Sequence, residues 1–334
     1  MLLQKQTMQS TTILLTICIF LFGCENTSKN KTYQKIEPDT LPSVPATQPD
    51  TTQKTKAFAP ISPTYHFPYN LSKPDGNFRL SKKLIEISGL SLSPDGQQLI
   101  AVNDEEGKIF YLNKNDGEIE REVKFGKGGD YEGIEAVGDK IYVVKSNGDL
   151  YKVKDLDKEE PDTKDYNTKL NSKYDVEGLA YDMPQNRLLL ACKGKAGDGK
   201  DMKGIRAIYG FDLEENKVTE QPVYTIDRDM IGTYFKSESV SQRLVDFLTP
   251  QYAADAFAPS GIAIHPKTSD ICMVSSIGKL FVMLTPSGEI KYMEKLDASI
   301  FKQPEGICFD KDGTLFISTE GKGGRGKLYR FSEN

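Results

Sequence analysis

One short phrase returns along this chain at a nearly fixed interval. It reads Ile87-Ser88-Gly89-Leu90, Tyr131-Glu132-Gly133-Ile134, Val176-Glu177-Gly178-Leu179, Pro259-Ser260-Gly261-Ile262 and Pro304-Glu305-Gly306-Ile307. Counted at the Ser or Glu, successive copies lie 44, 45, 83 and 45 residues apart. A period in the forties with strand-like content marks the blade of a β-propeller. Radial symmetry then sets the Ser or Glu of every copy at one level around one axis. Three carboxylates facing a shared axis need a proton, a metal ion or a cationic ligand to offset their repulsion.

The segments between the phrases read as short strands and turns. In the first unit, Gly89–Leu92, Gln98–Val102, Lys108–Leu112 and Glu118–Phe125 are separated by Ser93-Pro94-Asp95-Gly96, by a loop and by Asn115-Asp116-Gly117. Turn residues spaced this way predict a four-stranded meander. The third unit predicts its outer strand over Val218–Ile226. The last unit shows three strands, and the strand-like Phe78–Ile85 is expected to supply its fourth and close the ring, leaving no free sheet edge. The step of 83 residues is either a blade with an insertion or two blades with one degraded phrase. In 229–257, Val240, Leu244, Phe247 and Leu248 fall at helical spacing. That favours an insertion and an all-β, five-bladed propeller over 77–334, with six blades as the alternative.

In a blade, the start of the inner strand and the end of the second strand share one end of the channel. Ser88, Glu132, Glu177, Ser260 and Glu305 are therefore expected beside Asn103, Asp104, Lys145, Ser146, Lys193, Ser275, Ser276, Thr319 and Glu320. Such a mouth is rich in hard oxygen donors, which suit calcium; nothing in it suits zinc. Lys145 and Lys193, with Ser88 and Ser260, are candidates for an anionic or polar ligand. The alternative is structural: Glu-Gly starts the strand, Gly lets backbones approach, and Glu accepts backbone hydrogen bonds. The long loops 194–204 and 321–327, with the 229–257 insertion, lie at the same end, where they are expected to form a rim and partial lid. The second of these nearly spells a phosphate-binding loop, but Leu328 stands where Ser or Thr is needed and a strand follows in place of a helix.

The net charge of −5, with no basic stripe, argues against a nucleic-acid partner. At the N-terminus, Lys5 precedes the apolar Thr11–Phe22, which ends in Leu21-Phe22-Gly23-Cys24. This resembles a bacterial lipobox, so residues 1–23 are expected to be removed as a signal peptide and Cys24 to carry lipid. Residues 24–76, rich in Thr, Pro, Lys and Gln with few large apolar side chains, are expected to be a disordered tether. The expected location is a membrane of the bacterial cell envelope, with the outer membrane as first choice. Cys192, Cys272 and Cys308 each sit in an apolar run and are expected to be buried free thiols.

The ordered set Ile87-Ser88-Gly89-Leu90-Ser91-Leu92-Ser93-Pro94-Asp95-Gly96, the Glu-Gly copies and Gln303-Pro304-Glu305-Gly306-Ile307-Cys308-Phe309-Asp310 resembles the SdiA-regulated family. The resemblance implies a five-bladed propeller with a calcium site, distantly related to NHL-repeat proteins, and no established reaction. Carried over, it implies ligands among Glu132, Glu177 and Glu305, with Glu320 and Asp104 as further candidates. Ser at two of the five start positions departs from a uniform acidic ring. The function expected is a membrane-tethered calcium-binding module for a small-molecule or protein ligand. The alternative is a metal-dependent lactonase- or phytase-like hydrolase with Glu305 or Glu320 as base.

Overall fold

The computed structural model describes residues 65–237 and 257–334. They build five antiparallel sheets, each arranged as one blade of a five-bladed β-propeller. The inner strands are Ile87–Leu92, Tyr131–Val137, Val176–Asp182, Gly261–Ile264 and Pro304–Phe309. Each runs beside the inner strands of the blades on either side, so the five form a closed ring.

The core is distributed as five apolar layers, one between each pair of blades. Ile109, Val123, Ile134 and Val143 fill the gap between blades 1 and 2, and Leu179, Leu188, Leu150 and Phe211 that between blades 2 and 3. Met273, Leu280 and Ala180 pack between blades 3 and 4. Leu90, Phe110, Phe316 and Leu328 seal blade 5 against blade 1. The strands alternate their side chains toward opposite neighbours, so a single strand feeds two layers. Cys192, Cys272 and Cys308 are buried free thiols in these layers.

Ring closure uses Gly76–Arg79, which pairs antiparallel with the last strand, Lys327–Phe331. This strand is shorter and earlier than the predicted Phe78–Ile85. Beyond Arg79 the chain turns through a 3₁₀ segment, Lys82–Leu84, with the Ser81 hydroxyl accepting from the Lys83 N–H. Leu80 and Leu84 are fully buried as plugs between blades 5 and 1. Burial of these two leucines outweighs continuing the ladder. The predicted outer strand of blade 3 is also broken. Lys217–Val218 and Tyr224–Asp227 pair with the same partner, Ile205–Asp212. Pro222, which has no N–H to give to a ladder, lies in the break.

The 83-residue step is a blade followed by an insertion that opens with a helix, Arg228–Ser237. The helical spacing read at Val240, Leu244, Phe247 and Leu248 lies outside the described residues, as do the signal peptide and Cys24. Among the described residues no helix is long and apolar enough to cross a membrane.

The end of the expected tether is built into the propeller. Tyr65, Phe67, Tyr69 and Leu71 pack against Phe281, Phe309 and Phe331 in the layer between blades 4 and 5. Phe67 stacks on Tyr292 at a centroid distance of 4.3 Å. The Tyr69 hydroxyl donates to the Gly313 carbonyl at 2.6 Å and lies 2.9 Å from His265 Nε2. This strap should be structural: Tyr69→Ala, which removes a ring only 3% exposed, is expected to cost roughly 3–5 kcal/mol. Chemical denaturation of the full chain measures it.

Candidate cation site at the acidic mouth of the channel

The inner strands leave their regular register where the repeated phrase falls. Pairing shifts between Ile87 and Leu90, between Tyr131 and Gly133, between Val176 and Gly178, and between Pro304 and Ile307. In blade 4, Val274 faces Gly261 and also accepts from the Ser260 N–H. A bulge at each strand start re-aims the side chain there. The glycine that follows lets the strands crowd the axis. A Cβ on Gly261 would stand 2.1 Å from the Glu305 carbonyl oxygen, and one on Gly89 2.7 Å from the Ile134 nitrogen. The result is a waist lined by Glu132, Glu177, Glu305 and the glycines, with only about 10 Å³ of free volume, about one water-sized sphere.

Glu177 and Glu305 are each only 6% exposed. Burial raises the pKa of Glu305 to about 8, with further contributions from Glu177 and Glu320. Burial, Glu177 and Asp130 push Glu132 up as well. Glu177 is raised by burial and partly relieved by Lys193, whose ammonium donates to its carboxylate at 2.9 Å. Burial works against the Lys193 charge, but Glu177 and Asp175 more than offset it and hold its pKa above the ordinary lysine value. One lysine thus stands against three acids, two of them buried and Glu132 half-buried.

The other predicted residues separate into three groups. Asp104 and Glu320 form a flanking acidic patch. Burial with Glu86, Glu105 and Glu320 raises Asp104 to about 6, and its Oδ1 is buried with no hydrogen-bond partner. Glu320 is also raised, by burial first, while Lys322 opposes the shift. Lys145 turns away from the carboxylates and lies over the rings of Tyr131 and Tyr151, 4.8 and 5.4 Å from their centroids. Ser88 and Ser260 are buried; the Ser260 hydroxyl donates to the Pro304 carbonyl at 2.7 Å and so ties blade 4 to blade 5. The loop 194–204 is held to blade 3, where Ala196 is buried and its carbonyl accepts from the Tyr209 hydroxyl at 2.8 Å.

Three participants were missed from sequence: Asp130, Asp175 and Glu86. Each stands two residues before the Ser or Glu of its copy, so the repeat carried a second acidic tier that its own register would have revealed. Lys279, close enough to feel the Glu305 charge, had no such signal; burial lowers its pKa.

The donor set is carboxylate oxygen with backbone carbonyls near the axis, which suits a hard cation. The orphaned Asp104 oxygen and the excess of buried acid fit such an ion. Among the described residues no three His, Cys, Asp or Glu side chains gather tightly enough to enclose a metal by themselves. A cation at this mouth would therefore complete its shell with carbonyls and water.

A family comparison matches residues 70–323 to the SdiA-regulated family, and the chain belongs to it. A comparison with curated proteins found no match. Among solved structures the chain is similar to a streptogramin B lyase (15% identity, 77% of this chain and 68% of that one, TM-score 0.41). It is also similar to the glutaminyl cyclase of Myxococcus xanthus (11% identity, 78% and 95% covered, TM-score 0.49). A third is the PQQ-bound aldose sugar dehydrogenase of Streptomyces coelicolor (14% identity, 78% and 98% covered, TM-score 0.45). At these identities and scores no activity passes from them to this chain.

Proposed function

We propose that this protein is a lipid-anchored binding module of the bacterial cell envelope whose acidic channel mouth takes calcium. The observation that carries the reading is the imbalance at the waist. Glu132, Glu177 and Glu305 line the waist together, Glu177 and Glu305 buried and Glu132 half-buried, all with raised pKa, and Lys193 is the one lysine in direct contact with them among the described residues. Glu132, Glu177 and Glu305 would hold the ion, with Asp104 and Glu320 beside it. Bound there, calcium would neutralise the ring and present an electrophilic centre to a ligand oxygen. Attachment to the membrane rests on the lipobox-like Leu21-Phe22-Gly23-Cys24.

An ion that binds only the folded state must raise stability. The melting temperature of the full chain is expected to rise by several degrees between excess chelator and millimolar calcium at about pH 8. An unchanged midpoint removes calcium from the reading.

One observation favours a second reading, a metal-dependent hydrolase. Glu305, with a pKa of about 8, is a carboxylate suited to general base work near neutral pH. Turnover of a lactone or phosphate-ester panel that disappears in Glu305→Gln would establish it.

A further inference from the structure

The channel has a second mouth, and its chemistry differs from the first. The inner strands of all five blades end there, around a cavity of about 450 Å³ on the far side of the waist. That volume lies within the ~300–1,000 Å³ typical of ligand pockets. The waist, with about 10 Å³ free, separates this cavity from the acidic mouth. Its wall is largely apolar, with Leu92, Ala136, Ile264 and Phe309 among the lining residues. Met183 stands on the rim, 72% exposed, the most exposed large apolar side chain among the described residues. An adaptable thioether at a cavity edge suits contact with an apolar body.

Two carboxylates, Glu135 and Asp310, line this cavity, and they differ in their partners. Glu135 accepts from the Ser91 hydroxyl at 2.9 Å and from the Ala136 N–H at 3.0 Å. The Tyr181 backbone is a third donor; all three are neutral, and burial raises the Glu135 pKa to about 7. None of the ion pairs among the described residues includes Glu135. The other charged groups around the cavity are already engaged. Asp310 faces Lys114 at 3.6 Å and accepts from the backbone N–H groups of Asp312 and Thr314. The Lys311 ammonium reaches the Asp95 carbonyl at 3.4 Å, and His265 is held by Tyr69. An acid in apolar surroundings with neutral partners only gains most from a ligand cation that brings its own apolar cover.

We propose that this second mouth is a binding site for a small organic cation, an ammonium or amidinium group on an apolar body, with Glu135 as the anchor. The site is independent of the calcium reading, because the waist divides the two mouths.

The test titrates benzamidinium into the full chain by isothermal calorimetry, with benzoate as the isosteric control of opposite charge. Saturable binding is expected, weakened about tenfold or more by Glu135→Gln and several-fold by Met183→Lys. It is expected to be unaffected by millimolar calcium, and benzoate should not bind. Met183 is exposed, so the second variant reads the site even where the first folds poorly. Any of four results overturns the proposal: no saturable binding, full affinity in both variants, benzoate binding as tightly, or displacement by calcium. The last would place the cation at the acidic mouth instead.

Discussion

Glu305→Gln is expected to make the protein more stable than wild type at about pH 9 and to leave it unchanged at about pH 4. The sign follows from the raised pKa. Between the ordinary value of 4.5 and about 8, the folded state keeps a proton that the unfolded state releases. Stability from this group is fully present below 4.5 and is lost as pH rises through about 8. A rise of that size corresponds to roughly 5 kcal/mol at most, or on the order of 10 °C in melting temperature for a domain of this size. Gln keeps the shape and cannot ionise. Glu132 and Glu177 shift in the same direction, so wild type should lose stability toward alkaline pH. Scanning calorimetry in excess chelator, comparing the two proteins across pH, isolates Glu305 from other titrating groups. Parallel profiles would mean that Glu305 is ordinarily ionised in the folded protein.

The largest structural effect is expected from Gly261→Ala. The added Cβ would stand 2.1 Å from a backbone oxygen of the adjacent blade, an atom that no rotamer change moves. Overpacking typically costs about 1–3 kcal/mol; a clash with main chain at the ring's hub should exceed that, enough to lower the melting temperature by 10 °C or more. Gly138→Ala is the contrast. Its φ is +60°, but nothing lies within 4 Å of the added atom, so only about 1 kcal/mol is expected from conformation. Equal costs at the two sites would show that the inner strands are not pressed together as described.

The ring was legible because symmetry multiplies a weak signal. Glu-Gly means little once, but copies at matched intervals pointed to a propeller, favoured five blades over six and set the acids at one level. Features that occur once stayed hidden. Position three after the Ser or Glu reads Ser91, Glu135, Ala180, Ala263 and Cys308, so Glu135 at the second mouth has no counterpart to betray it. The aromatic strap 65–71 does alternate, at Tyr65, Phe67, Tyr69 and Leu71, but the signal is short, occurs once and sits at the end of a stretch whose composition reads as tether. Lys145 and Lys193 both end second strands but differ by one residue in register: Lys145 lies opposite Tyr131, whereas Cys192 lies opposite Val176 and Lys193 follows it. Successive strand side chains point to opposite faces, so Lys145 covers the rings of Tyr131 and Tyr151 in its own blade while Lys193 pairs with Glu177.

Proton release on adding calcium tests the central claim most directly. Carboxylates that hold protons near neutrality must give them up to bind a metal. In weakly buffered solution at about pH 7, calcium is expected to displace about one proton or more per ion, and fewer at about pH 9, where the ring is already ionised. Calcium that binds without releasing protons at about pH 7, or that fails to bind, would contradict a buried acidic hub as the cation site.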